Sequence, residues 1–241
     1  MKLIIIRHAE PDYSIDSLTE KGWREAGLLA ERMMSTDVTA IYMSPLGRAK
    51  DTASITLSEM KREATILTWL REFKAPIMNE KTGKRKVPWD WIPEDWTNID
   101  EFYDKDLWHT NPVMKEARVF DEARTVYEGL DELLYNHGYK RHGKLYEVEK
   151  ANSDTIVLFC HFGVECVMLG HLLGVSPMVL WHGLCAAPSS VTTLVTEERR
   201  EGIASFRMSS FADISHLYVA KEEPAFAARF CETYDNMDQR H

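Results

Sequence analysis

Two apolar runs far apart in the chain end in the same way. Leu3-Ile4-Ile5-Ile6 stops at Arg7-His8-Ala9-Glu10, and Thr155-Ile156-Val157-Leu158-Phe159 stops at Cys160-His161-Phe162-Gly163. Neither run alternates with polar residues. Short continuous apolar runs rich in β-branched side chains read as strands buried on both faces, the condition of a parallel sheet covered by helices on each side. A third short strand, 39–43, ends at Ser44-Pro45 and delivers Arg48 to the start of the next helix. In open α/β sheets, ligands bind beyond the carboxyl ends of the strands. Arg7, His8, Arg48 and His161 are therefore expected to face one another across a single pocket.

The segments between the strands support this reading. Residues 18–34 read as a helix capped by Thr19, with Trp23, Ala26, Ala30 and Met33 on one face. The turn Ser44-Pro45-Leu46-Gly47 leads into a helix over about 48–61. Residues 66–70 read as a short strand or extended segment, 113–137 as one long helix, and 162–173 as a helix. Residues 191–196 and 203–208 read as a final strand pair. The chain is polar after Phe211, with a weak helix near 224–234. The expected fold is a three-layer α/β/α sandwich with a mostly parallel central sheet, residues 1–241 forming one domain. Residues 74–112 break the pattern, holding Pro76, Pro88, Pro93 and Pro112, four tryptophans (Trp89, Trp91, Trp96, Trp108) and the basic run Lys84-Arg85-Lys86. They read as an inserted, lid-like segment. Its tryptophans are expected to form a local mini-core rather than a stacking platform, and its basic run a solvated loop.

Composition narrows the partners. In 241 residues, 38 acidic side chains against 29 Lys and Arg leave a formal charge of −9. Such a surplus argues against nucleic acid, which needs a field that attracts phosphates. A small anion remains open wherever local cations reverse the field. No apolar stretch approaches the roughly 20 residues of a membrane span, so no membrane partner is expected. Cys160, Cys166, Cys185 and Cys231 are sparse and include no C-x-x-C pair, as in a cytoplasmic protein with reduced thiols. The oligomeric state is open between monomer and homodimer.

Two arginines, two histidines and two helix N-termini compose a phosphate pocket. Arginine offers a planar fork of donors to a phosphate dianion, and first-turn amides add to it. A neutral imidazole can attack phosphorus and carry the phosphoryl group. A carboxylic acid can protonate the leaving alkoxide, and a second histidine can hold a phosphoryl oxygen. Neither a metal nor a cofactor is needed for this set. Cysteine-based phosphatases require Cys, five residues, then Arg, and Cys160 meets Cys166 at that spacing. No G-x-x-x-x-G-K-[ST] is present.

These segments resemble the histidine phosphatase superfamily, in its phosphoglycerate-mutase-like branch. Arg7-His8-Ala9-Glu10 is similar to R-H-G-E with Ala in place of Gly, and Leu18-Thr19-Glu20-Lys21-Gly22 to L-T-x-x-G. Ser44-Pro45-Leu46-Gly47-Arg48-Ala49-Lys50-Asp51-Thr52-Ala53 is similar to S-P-L-x-R-A-x-x-T-A, and Leu70-Arg71-Glu72-Phe73 to an L-x-E segment. Cys160-His161-Phe162-Gly163 resembles S-H-G with a bulky residue inserted before Gly, and 188–194 resembles the family's last core strand.

The resemblance implies His8 as nucleophile, Glu72 as proton donor, and Arg7, Arg48 and His161 as phosphoryl ligands. The amide of Phe162 would replace the family's glycine amide. Ser14 would stand at the phosphate where mutases carry Asn. Glu10, Asp12 and Glu165 are alternative acids. Ser14 and the Trp-rich insertion favour a phosphatase of a small phosphate ester over the alternative, a phosphoglycerate mutase. His109, His137, His142, His171, His182, His216 and His241 show no ligand-like clustering. His182, beside Trp181, is the nearest to the pocket by sequence, with packing the expected role.

Overall fold

The computed structural model describes residues 1–78, 83–226 and 233–236. Its main sheet has eight strands: β1 (Lys2–Arg7), β2 (Ala40–Met43), β3 (Thr65–Ile66), β4 (Tyr139–His142), β5 (Leu145–Val148), β6 (Thr155–Cys160), β7 (Val191–Arg200) and β8 (Ile203–Asp213). Across the sheet the order is β3-β2-β6-β1-β7-β8-β5-β4. The core strands β3, β2, β6 and β1 are parallel, and the pairings from β1 to β4 are antiparallel. The helices are α1 (Glu20–Met33), α2 (Gly47–Met60), α3 (Pro93–Trp96), α4 (Pro112–Glu116), α5 (Val119–Asn136), α6 (Phe162–Leu173), α7 (Pro177–Gly183) and α8 (Ser215–Ala220).

The unbroken apolar runs serve two cores. Leu3, Ile5, Ile156 and Leu158 pack with Val126 and Leu130 of α5 and Val164 and Val167 of α6. Ile4, Ile6, Val157 and Phe159 pack with Leu29 and Met33 of α1 and Ala53 of α2. The period-2 alternation of a strand sends successive residues to opposite faces. Helices on both faces make the three layers that the sequence implies.

Several local expectations are corrected. Thr19 does cap α1, accepting the Gly22 amide at 3.0 Å. Trp23 does not share the buried face, however; it is 40% exposed, and Gly22 and Glu25 are buried instead. The strand near 66–70 is only Thr65–Ile66, followed by a 3-10 turn at Thr68–Leu70. The long helix 113–137 is two helices, because Arg118 adopts a left-handed conformation (φ 54°) between α4 and α5. The β4–β5 hairpin has no counterpart in the sequence reading. Its first strand, Tyr-Lys-Arg-His, lies at the sheet edge with one buried residue, so it carries no apolar run to detect.

The insertion joins the main core and forms no separate mini-core. Trp96, Phe102 and Trp108 are buried in the same cluster as Leu3 and Ile5, and Trp108 meets Trp181 edge-on at 5.5 Å. Lys84 and Arg85 are exposed, while Lys86 lies over the Trp91 ring at 4.5 Å. His182 takes the packing role: it lies 4.9 Å from the Trp96 ring and accepts the Trp91 amide. Most of the weak helix expected near 224–234 lies outside the described residues, as do Cys231 and His241.

Glu25 ties three segments together. Its carboxylate is fully buried and accepts the amides of Glu10 (2.8 Å) and Ala225 (3.2 Å). Burial outweighs those donors and Lys21, and raises its pKa from 4.5 to about 7. A raised acid pKa means the folded state holds the proton more tightly, so stability falls as pH rises from about 4.5 to about 7. Denaturant unfolding of wild type and Glu25→Gln across that range should show wild type losing about 3 kcal/mol relative to the variant. A constant difference would exclude this titration.

Candidate active site

Parallel pairing places Arg7 beside Cys160, so the residues that follow, His8 and His161, emerge side by side. Their ring centroids are 5.1 Å apart, and both side chains are buried. The His8 amide donates to the Cys160 carbonyl (3.0 Å), and the Ser189 amide donates to the His8 carbonyl (3.1 Å). Ser189 holds a left-handed conformation (φ 60°), and its hydroxyl lies 3.0 Å from Nε2 of buried His216. The His8 backbone is thus braced by the end of β6 and by the turn that precedes β7.

The imidazoles are oriented by opposite means. His8 Nδ1 lies 2.8 Å from the Ala9 carbonyl, which can only accept. Nδ1 therefore carries the proton and Nε2 keeps its lone pair. His161 Nε2 lies 2.7 Å from the Ser44 hydroxyl, which already accepts the Leu46 amide at 3.2 Å. With Ser44 donating to Nε2, Nδ1–H becomes a donor, and Nδ1 is buried with no partner among the described residues. Burial first, then neighbouring positive charge, holds both imidazoles well below the usual histidine pKa, so both are neutral.

The arginines supply the charge. Arg7 is 2% exposed and donates through Nη1 to the Ala186 carbonyl. Arg48 stands in the first turn of α2. Its Nη1 donates to Asp16 at 2.5 Å, and its buried Nε has no hydrogen-bond partner among the described residues. Asp16 also accepts the Gly47 amide (2.7 Å), and Tyr13 lies 5.4 Å from the guanidinium. A Cβ on Gly47 would stand 2.0 Å from the Asp16 carbonyl oxygen, so only glycine admits this loop. The Phe162 amide opens α6, where first-turn amides have no helical carbonyl to bond.

Glu72 reaches the same helix start. Flanked by buried Leu70 and Phe73, its Oε1 accepts the amides of Phe73 (2.8 Å) and Val164 (3.1 Å). Burial raises its pKa, against those amides and Arg7 and Arg48. Glu165 is buried on α6, and burial raises its pKa to about 7 against a hydrogen bond from Thr192. Glu10 is occupied by Thr19, and Asp12 by Ser14. Among the described residues, no cluster of three or more His, Cys, Asp or Glu is arranged to hold a metal ion.

Ser14 stands apart from this group. It is exposed, and its hydroxyl and amide both bond Asp12. Two residues further on, Asp16 contacts the pocket through Arg48. The resemblance to mutases puts Ser14 at the phosphate, but the local turn bonds that side chain to Asp12. Ser44 and Asp16 were not anticipated. Ser44 had a signal in the motif, while Asp16 depends on the loop's backbone.

A family model of the histidine phosphatase superfamily (branch 1) matches residues 3–208. The chain belongs to that superfamily. A curated relative, phosphoserine phosphatase 1 of Hydrogenobacter thermophilus, is 25% identical over 224 residues, covering 87% of this chain and 93% of its own. A phosphoserine phosphatase from Entamoeba histolytica, solved with 3-phosphoglyceric acid, superimposes with a TM-score of 0.59 at 21% identity, covering 90% of this chain and 98% of that one. A mycobacterial glucosyl-3-phosphoglycerate phosphatase gives 0.58 at 20% identity, covering 88% and 98%. At these identities the two structures establish the histidine phosphatase fold.

Calorimetric titration with orthophosphate tests the placement of the ligands. Arg48→Ala should lose about 10- to 100-fold in affinity, the worth of charge-assisted hydrogen bonds of about 1.5–3 kcal/mol. Ser14→Ala should bind as the parent does. Comparable losses in both would return Ser14 to the pocket.

Proposed function

We propose that this histidine phosphatase superfamily member hydrolyses a small phosphomonoester through a phosphohistidine on His8, with Glu72 as proton donor and without a metal. The observation that carries the reading is the His8 ring, neutral and with Nε2 unprotonated, 5.1 Å from His161 and in the electrostatic reach of Arg7 and Arg48. A curated relative is named a phosphoserine phosphatase, and phosphoserine is the first substrate to test. The buried thiols of Cys160 and Cys166 form no disulfide among the described residues, in keeping with a cytoplasmic location.

The chemistry follows from the donors. Arg7, Arg48, His161 Nδ1 and the Phe162 amide bind the phosphoryl oxygens and neutralise their charge. The His8 Nε2 lone pair attacks phosphorus as the ester P–O bond breaks. Both amides on Glu72 fall on Oε1, which assigns the acid proton to Oε2. That proton passes to the departing alkoxide. Glu72, now a carboxylate, takes a proton from water as the water oxygen attacks phosphorus and the P–N bond breaks. His8 and Glu72 are thereby restored, and orthophosphate is released.

Three measurements test the reading. Phosphatase activity on p-nitrophenyl phosphate should persist in EDTA and fall at least about 10³-fold in His8→Ala. Activity lost to EDTA, or retained by the variant, would overturn the proposal. Acid-labile, base-stable label from a ³²P substrate should be trapped on wild type and be absent from His8→Ala. Efficient transfer of label between phosphoglycerate positions, with slow release of phosphate, would favour the mutase.

Glu72 must be protonated to act, and its pKa is raised. For an ester with a poor leaving group, kcat/KM should therefore fall as pH rises through that elevated value. Glu72→Gln should remove this alkaline limb.

A further inference from the structure

We propose that Trp89, supplied by the insertion, is a positioning residue that clamps the proton donor Glu72 over the start of α6 with one oxygen turned to the leaving group. This rests on the assignment of Glu72 as proton donor.

The contacts form a short chain. The Trp89 indole Nε1–H donates to the Phe73 carbonyl at 2.9 Å. The Phe73 amide donates to Glu72 Oε1 at 2.8 Å, and the Val164 amide to the same oxygen at 3.1 Å. The indole therefore fixes the carbonyl of the residue whose amide fixes the carboxyl. Its ring also meets Phe162 edge-on, with centroids 6.4 Å apart and planes at 87°.

Gly163 records how tightly these parts close. A Cβ there would stand 2.6 Å from Glu72 Oε1 and 2.8 Å from Trp89 Nε1, so acid and indole occupy the space of one missing side chain. This accounts for a departure noted in the sequence. Phe162 lies between His161 and Gly163, and the position that cannot carry a side chain is the one roofed by Glu72 and Trp89. Phe162, Gly163 and Trp89 are parts of one arrangement.

The arrangement bears on protonation. Glu72 is half-buried, and covering it limits the water around the carboxyl and disfavours its charged form. The charged and titratable groups facing it from the surrounding elements are Arg7 at the end of β1, Arg48 on α2, and Glu165 on α6. The arginines favour ionisation, and burial opposes them. Opening the cover shifts that balance toward the carboxylate.

Leaving-group dependence separates this role from general packing. The p-nitrophenolate ion departs without a proton, whereas unsubstituted phenolate benefits from one. Trp89→Phe keeps an aromatic ring and deletes the N–H. It should lower kcat/KM on phenyl phosphate about tenfold, with kcat/KM on p-nitrophenyl phosphate within about twofold. The alkaline limb on phenyl phosphate should move to lower pH. Gly163→Ala, which forces a methyl group into the same space, should give the same selective loss. Glu72→Gln is the control. If it lowers kcat/KM on both substrates equally, Glu72 is not the donor and the underlying assignment fails; kcat/KM stops at departure of the alcohol and leaves out the later step in which Glu72 acts as base. If Glu72→Gln is selective while Trp89→Phe and Gly163→Ala lower kcat/KM on both substrates alike, or on neither, the clamp is excluded.

Discussion

Every feature of the pocket depends on the parallel register between β1 and β6. Arg7 stands opposite Cys160, so one step further along each strand brings two histidines together. A slip of one residue would turn every side chain of a strand to the other face. The two cores resist it, since Leu3 and Ile5 are fitted to one helical layer and Ile4 and Ile6 to the other. The same cores bear the cost of Arg7. Desolvating a guanidinium costs several kcal/mol, while each fully buried Ile or Leu returns about 1.5–3 kcal/mol. Central strands apolar on both faces are what allow a cation to be held at their end.

The electrostatics divide labour between side chains. Burial and the arginines keep His8 and His161 neutral, which preserves the lone pair that the proposed attack by His8 needs. Positive charge comes from Arg7 and Arg48, whose guanidinium groups do not lose their protons near neutral pH. An imidazolium could bind phosphate but could not attack it. The arrangement thus keeps attraction and nucleophilicity on different residues. The proposed role of Glu72 makes the complementary demand, since a carboxyl that is to donate a proton must resist ionising beside two arginines. Burial supplies that resistance. The global charge of −9 bears on the size of the ligand more than its sign. A polyanion meets the whole acidic surface, whereas a monoester meets one pocket where two arginines reverse the field.

The sequence exposed residues fixed by strand ends and hid those fixed by loop shape. Arg7, His8 and His161 follow buried runs directly, and Arg48 opens a helix behind a Ser-Pro turn, so apolar pattern and turn chemistry placed them. Asp16 reaches Arg48 through a left-handed backbone and a contact that needs Gly47, neither of which leaves a periodic trace. Ser14 illustrates the converse, since the family resemblance puts it at the phosphate while its turn bonds it to Asp12. The β4–β5 hairpin was hidden because its edge strand is mostly charged. The break at Arg118 was hidden because helical periodicity runs through both flanking helices.

The Trp-rich insertion shows how an irregular segment can be precise. Loops hold functional groups loosely unless their own side chains are anchored. Here Phe102 and Trp108 are fully buried in the main core, and Trp181 of α7 packs against both Trp108 and Phe73. The Trp181 indole also donates to the Gly163 carbonyl at 2.9 Å. The turn carrying Glu72, the start of α6 and the insertion therefore share one set of aromatic contacts. The tryptophans that looked in sequence like an isolated cluster extend the core to the pocket's edge. Among its described residues the segment has no long helix or strand, and its aromatic side chains join that core, which places Trp89.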